Sequence, residues 1–251
     1  MEARPNWRWR KWAGLWCVGL GWPGAFAQPP AEPPRPAPLV LRFDALPDLY
    51  RDTVRKIIQQ PTLVARPPAE AFSARPDVYR WLLDHPDRAA YAWRRIGVAC
   101  LDITPLDAGQ FAWNDAQAGS FSWLTVWDGP DGRVWYGAGN ARPAPHLPTV
   151  PIKAVAVLRH TPLSDTTTPQ LLRQQVDVFL QTDSKAAALA MRLFGTTAPR
   201  MAEQGASQLL LFFSALSGYL HQHPEQMDDL LAPPGQGAMP AKAPVLTPFR
   251  K

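Results

Sequence analysis

FSWLTVWDGPDGRVWYGAGNAR, residues 121–142, decides the architecture. Aromatic and β-branched residues alternate with polar or small ones on both sides of Asp128-Gly129-Pro130-Asp131-Gly132. A turn of that composition between two such runs predicts an antiparallel hairpin, the second arm running from Arg133 to Arg142. In the first arm the two-residue period puts Phe121, Trp123, Thr125 and Trp127 on one face. The pattern repeats outward: Leu101 and Ile103 mark one run, Phe111 to Asp115 a second, Ile152 to His160 and Arg173 to Thr182 two more. In the last, Val176, Val178 and Leu180 point one way while Asp177, Phe179 and Gln181 point the other. Together these runs predict one curved antiparallel sheet.

Helical segments flank the sheet. Tyr50, Val54, Ile57 and Ile58 fall on one stripe closed by Pro61, which predicts an amphipathic helix over Pro47 to Gln60. Thr62 to Arg66 reads as a short strand. Pro76 and Pro86 each suit a first helical position, so Pro76 to Asp84 and Pro86 to Ile96 are two consecutive short helices, the second ended by Gly97. After the strands, Lys185 to Phe194 is an alanine-rich helix, and Thr197 then caps a longer one with Pro199 just inside it. Leu209, Phe212, Phe213, Leu216 and Leu220 recur there at helical spacing, an apolar stripe wide enough to bury against a sheet. The expected class is α+β: a curved antiparallel sheet of about six to seven strands packed on a long C-terminal helix, with an extra N-terminal helix.

The ends of the chain have another character. Residues 1–27 read as a secretory signal peptide. Arg4, Arg8, Arg10 and Lys11 precede the apolar run Trp12 to Phe26, and Ala25-Phe26-Ala27 supplies the small residues of a cleavage site. That run is short and glycine-rich beside the roughly 20 apolar residues of a membrane helix, so no stable membrane span is expected. Residues 28–41 are a proline-rich extended linker, 42–231 one domain, and 232–251 a second proline-rich tail. Discarding the leader takes four basic residues and one acidic residue from the chain's 26 and 21, leaving a net charge of +2. No lysine or arginine cluster remains, which argues against a nucleic-acid partner. Cys17 falls within the leader without the small residue that precedes a lipoprotein cysteine, and Cys100 is left alone in an apolar, strand-like run, where core packing suits it best.

Few residues suggest chemistry. Cys100, His160 and Asp177 are types that could make a nucleophile, a base and an orienting carboxylate, but no spacing signature joins them. His221-x-His223 beside Glu225 precedes Pro224's helix break, where residues two apart diverge, so no metal is expected there. Asp102, Asp107, Asp115 and Asp128 lack the spacing of a calcium loop, and no nucleotide-binding, zinc-protease or serine-hydrolase motif occurs. No cofactor and no catalytic residue is assigned. Tryptophans 113, 123, 127 and 135 are the most suggestive group, serving either to stack on a flat ligand or to pack the sheet.

The order strand, two short helices, six strands, long final helix resembles the START-like, helix-grip superfamily that includes polyketide cyclases and lipid-transfer domains. The resemblance spans about Thr62 to His223 and includes the stretch Arg75-Pro76-Asp77-Val78-Tyr79-Arg80-Trp81-Leu82-Leu83-Asp84-His85-Pro86-Asp87, similar to that family's first helix and following turn. It implies an apolar cavity between the sheet and the last helix. Trp113, Trp123, Trp135 and Val178 would line it from the strands, and Leu209, Phe212, Phe213 and Leu216 from the helix. The expected function is that of an exported protein of the periplasm, envelope or exterior that binds an apolar or amphipathic small molecule without covalent chemistry. The alternatives are a cyclase- or hydratase-like enzyme, with Asp102, Asp177 or His160 facing the cavity, and an envelope interaction module with an exposed apolar patch and no cavity.

Overall fold

The computed structural model describes residues 43–107, 109–115, 119–142, 149–163, 170–184 and 197–232. The expected leader, linker and tail and the helix expected over Lys185 to Phe194 lie outside them. A 3-10 turn at Phe43–Ala45 leads into α1 (Asp48–Gln59), followed by β1 (Leu63–Ala65) and β2 (Glu70–Ala74). Helices α2 (Pro76–Asp84) and α3 (Pro86–Arg95) come next. The strands β3 (Ile103–Asp107), β4 (Gln110–Asp115), β5 (Gly119–Gly129), β6 (Gly132–Ala141), β7 (Val150–Pro162) and β8 (Gln170–Gln181) follow. The long helix α4 (Thr197–Gln222) and the single turns of α5 (Met227–Leu231) close the described fold.

Local chemistry sets most of these boundaries. Pro76 and Pro86 open their helices at positions where the missing N–H costs nothing, and the Arg75 guanidinium donates to both Asp77 carboxylate oxygens (3.2 and 2.6 Å) across the first turn of α2. Just past α3, Gly97 adopts φ +85°, the left-handed conformation that ends helices and that a side chain would strain.

Six strands form an antiparallel meander, and β8 returns to the start of the domain, giving the order β1-β8-β7-β6-β5-β4-β3. The outer edge of β8 takes two partners in succession. Leu63–Ala65 pairs with Val178–Leu180, and Glu70–Ala74 pairs with Gln170–Gln174. The interruption between them is Arg66-Pro67-Pro68-Ala69, where two residues lack the N–H a ladder needs. The sheet therefore has eight strands rather than six or seven. The strand missing from the sequence reading is β2, whose small residues Ala71 and Ser73 face out while Phe72 and Ala74 face in.

Helices pack on both faces of the sheet. Val54 and Ile57 of α1, with Leu46, pack on Val126, Val134, Val155, Val157 and Phe179. On the other face, here the inner one, α2, α3 and α4 pack on Ala65, Ala74, Trp135, Leu158, Leu172 and Val176. The alternation read in β8 is present: Val176 and Val178 belong to the inner cluster and Phe179 to the outer. In β5 it is interrupted. Thr125 pairs with Trp135 but Trp127 pairs with Val134, so Val126 is an extra residue in a bulge. Phe121, Trp123 and Thr125 keep one face as expected, whereas Trp127 is turned to the outer side, where it packs on the α1 cluster. Cys100 also departs from expectation: it sits in the link between α3 and β3, partly buried, not in a strand.

Candidate functional site

Helix α4 lies over the β1, β2 and β8 edge of the inner face, while α3 reaches across to β3. Where α4 meets β6, the Phe213 ring stacks on Trp135 with centroids 6.1 Å apart and planes at 14°, and Phe212 stands edge-on to Phe213 at 4.9 Å. The Phe212 carbonyl accepts a 3.0 Å bond from Trp93 Nε1, tying α3 to α4.

The inner face of β4 and β5 is aromatic. The register sets Phe111 opposite Trp123 and Trp113 opposite Phe121, and both pairs touch, with centroids 5.9 and 6.3 Å apart. The next strand offers glycine at both matching positions, Gly137 opposite Trp123 and Gly139 opposite Phe121. A Cβ at Gly137 would collide with the Phe121 ring and the Ser122 carbonyl. The missing side chains are what let that ring lie over β6. Trp113, Phe121 and Trp123 remain only partly buried, as do Leu209 and Phe212 on α4.

The eight expected lining residues thus divide. Trp135, Phe213 and Leu216 are buried and fill the space between sheet and helix as core. Trp113, Trp123, Leu209 and Phe212 keep exposed surface, and Val178 packs against the main cluster from β8. Phe121 and Trp93 complete the aromatic group, beyond the residues expected from sequence. Phe121 could have been found from its place in the quoted arm facing two glycines, whereas only the α3–α4 packing reveals Trp93.

The titratable candidates do not converge. Asp177 lies on the outer face, held by Arg159 and Arg66, so it cannot orient His160, which lies on the inner face. Asp102 is 80% exposed and pairs with Arg94 at 2.9 Å. Burial pushes the Cys100 thiol up, away from nucleophilic character. Among the described residues no group of three or more His, Cys, Asp or Glu could hold a metal. His223 instead meets Glu225 at 3.4 Å and rests on the Tyr219 ring at the end of α4.

The polar architecture that does exist lies under α2. Tyr79 Oη donates to Gln174 Oε1 (2.8 Å), and Gln174 Nε2 donates to Glu70 Oε2 (3.0 Å) and to the Leu210 carbonyl (2.9 Å). Ser214 Oγ donates to the same Glu70 oxygen at 2.8 Å. One glutamine therefore binds α2, β2, β8 and α4 together, and burial pushes the Tyr79 phenol far up, keeping it a donor. Beside it Arg133, 1% exposed, reaches Asp84 (2.6 Å) at the end of α2 and Asp128 (3.0 Å) across the hairpin.

No family model matches the chain, and no curated protein matches it. Solved structures give distant likenesses. The crystal structure of a conserved protein from Geobacillus kaustophilus is 13% identical with a TM-score of 0.39, over 62% of this chain and 93% of that one. An uncharacterised protein from Rhizobium leguminosarum is 15% identical with a TM-score of 0.31, over 60% and 92%. Likenesses at such scores carry no argument. No helix among the described residues is long and apolar enough to cross a membrane.

Proposed function

We propose that this chain is an exported binding protein that holds an apolar or amphipathic small molecule between the inner face of its sheet and helix α4. The observation that carries the reading is the partly buried aromatic wall: Trp113, Phe121 and Trp123 on the inner side of β4 and β5, the side on which Leu209 and Phe212 of α4, also partly buried, pack. Large apolar surface left accessible on a concave face is what a binding site for such a molecule needs, and an ordinary core would cover it. The element order on which the START-like resemblance rests supports the same reading, and we propose membership of that superfamily on that basis.

A fluorescent fatty acid tests it. Saturable binding is expected, with quenching of tryptophan emission. Leu209→Trp, which adds bulk at a partly buried position, should weaken binding about tenfold or more, equivalent to at least about 1.4 kcal/mol. A folded chain that shows no saturable binding of fatty acids or of planar apolar dyes would refute the proposal.

A further inference from the structure

His160 occupies an unusual place in the inner layer. It follows Leu158 on the same face of β7, opposite Gln174 in register, and its backbone N–H donates to the Asp131 carbonyl at the tip of the β5–β6 hairpin (2.9 Å). Its ring meets Tyr79 of α2 edge-to-face with centroids 5.4 Å apart, and that tyrosine is the donor that ties α2 to Gln174. Nδ1 of the imidazole is buried with no partner among the described residues.

This setting suits a neutral ring and not a charged one. An imidazolium is a donor at both nitrogens, and Nδ1 has no acceptor there to receive its proton. The surrounding charges are mixed. Arg80 from α2 and Arg133 from β6 repel a cation, Asp131 from the hairpin attracts one, and Arg133 is itself paired with Asp84 and Asp128. Tyr79 and Gln174 face the ring as neutral groups. Burial, followed by Arg80, holds the imidazole below its ordinary value of 6.5.

We propose that His160 is an acid-operated latch for helix α2: once protonated, its ring leaves its seat against Tyr79, and α2 loosens from the inner face of the sheet. The effect does not depend on whether a ligand binds. Its sign follows from linkage. A base disfavoured as a cation in the fold stabilises α2 fully above the unfolded-state value, and that contribution is lost as pH falls below it.

Hydrogen exchange of the mature chain, corrected for intrinsic rates, provides the test. Between about pH 7.5 and about pH 5, protection over Pro76–Asp84 should fall severalfold relative to Asp48–Gln59, because the seated imidazole resists the proton that the released one accepts. His160→Gln, which stays neutral, should remove that difference. Arg80→Gln, at an exposed position, should raise the pH at which the His160 ring titrates by nuclear magnetic resonance, and it keeps the test open if the glutamine variant does not fold. Equal protection of α2 at both pH values, an unchanged acid response in His160→Gln, or a wild-type ring titrating at or above 6.5 would each overturn the latch.

Discussion

Neighbouring phenylalanines on α4 give the sharpest measure of how the sheet and helix fit. Phe213 is 3% exposed and lies flat against Trp135, with Phe212 edge-on to it. Truncating Phe213 to alanine removes a buried ring and leaves a void against an indole that cannot collapse into it, which costs about 3–5 kcal/mol. Part of that, about 0.5–1.5 kcal/mol per pair, is the ring–ring contact itself. Phe212 keeps exposed surface, and the bond its residue makes to Trp93 uses the backbone carbonyl, which alanine retains. Phe212→Ala should therefore cost only about 1–2 kcal/mol, below the value for full burial of such a ring. Urea unfolding followed by tryptophan fluorescence separates the two. With a slope of about 2 kcal/mol per molar, the midpoint should fall by about 1.5–2.5 M for Phe213→Ala and by about 0.5–1 M for Phe212→Ala, the slope itself unchanged. A cost under about 1 kcal/mol at Phe213, or a larger cost at Phe212, would refute the packing described at this junction.

Tyr79→Phe leaves Gln174 Oε1 buried without its donor and should destabilise the domain by about 1–2 kcal/mol in the same assay. Gly205 sits in the interior of α4 with open space around the position of a Cβ, so Gly205→Ala should raise stability by about 0.5–1 kcal/mol, read as a higher melting temperature; a loss would mean that the site is contacted. If the leader is cleaved as its pattern predicts, N-terminal sequencing of secreted material begins at Gln28, and recovery of Met1 on membrane-bound protein would contradict export.

Legibility in the sequence followed the strength of local signals. Proline at the first helical position marked α2 and α3, Gly97 marked the stop, and the Asp-Gly-Pro-Asp-Gly turn marked the hairpin, because each acts on backbone geometry within a few residues. The long apolar stripe of α4 was visible for the same reason of period. What escaped depends on partners far along the chain. The Val126 bulge shifts Trp127 to the other face without any change in composition, since an extra residue is visible only against the opposing strand. The Gln174 hub escaped because a polar residue at an inward position reads as a defect in alternation until Tyr79, Glu70 and Ser214 are seen around it. Arg133 escaped likewise, since charge beside a turn suggests solvent and here marks a buried anchor for two carboxylates. At the candidate site, the tryptophans of β4 and β5 were legible as a group, but which of the eight lining residues would be core and which would keep exposed surface was decided by the path of α4.

The prolines at the two margins of the sheet bear on how this protein survives crowding. An open sheet offers its outermost strands as templates for another chain, and an eight-stranded one has two such margins. Along β8 the Pro67-Pro68 interruption splits the outer strand into pieces of three and five residues, too short to serve as a continuous template. At the far side β3 carries Pro105 in its middle and a register shift beside it, with Asp107 at its end. Each margin is thus closed to strand addition by its own sequence, which allows the inner face to keep its aromatic residues partly accessible while the sheet's ends resist amyloid-like stacking with other copies.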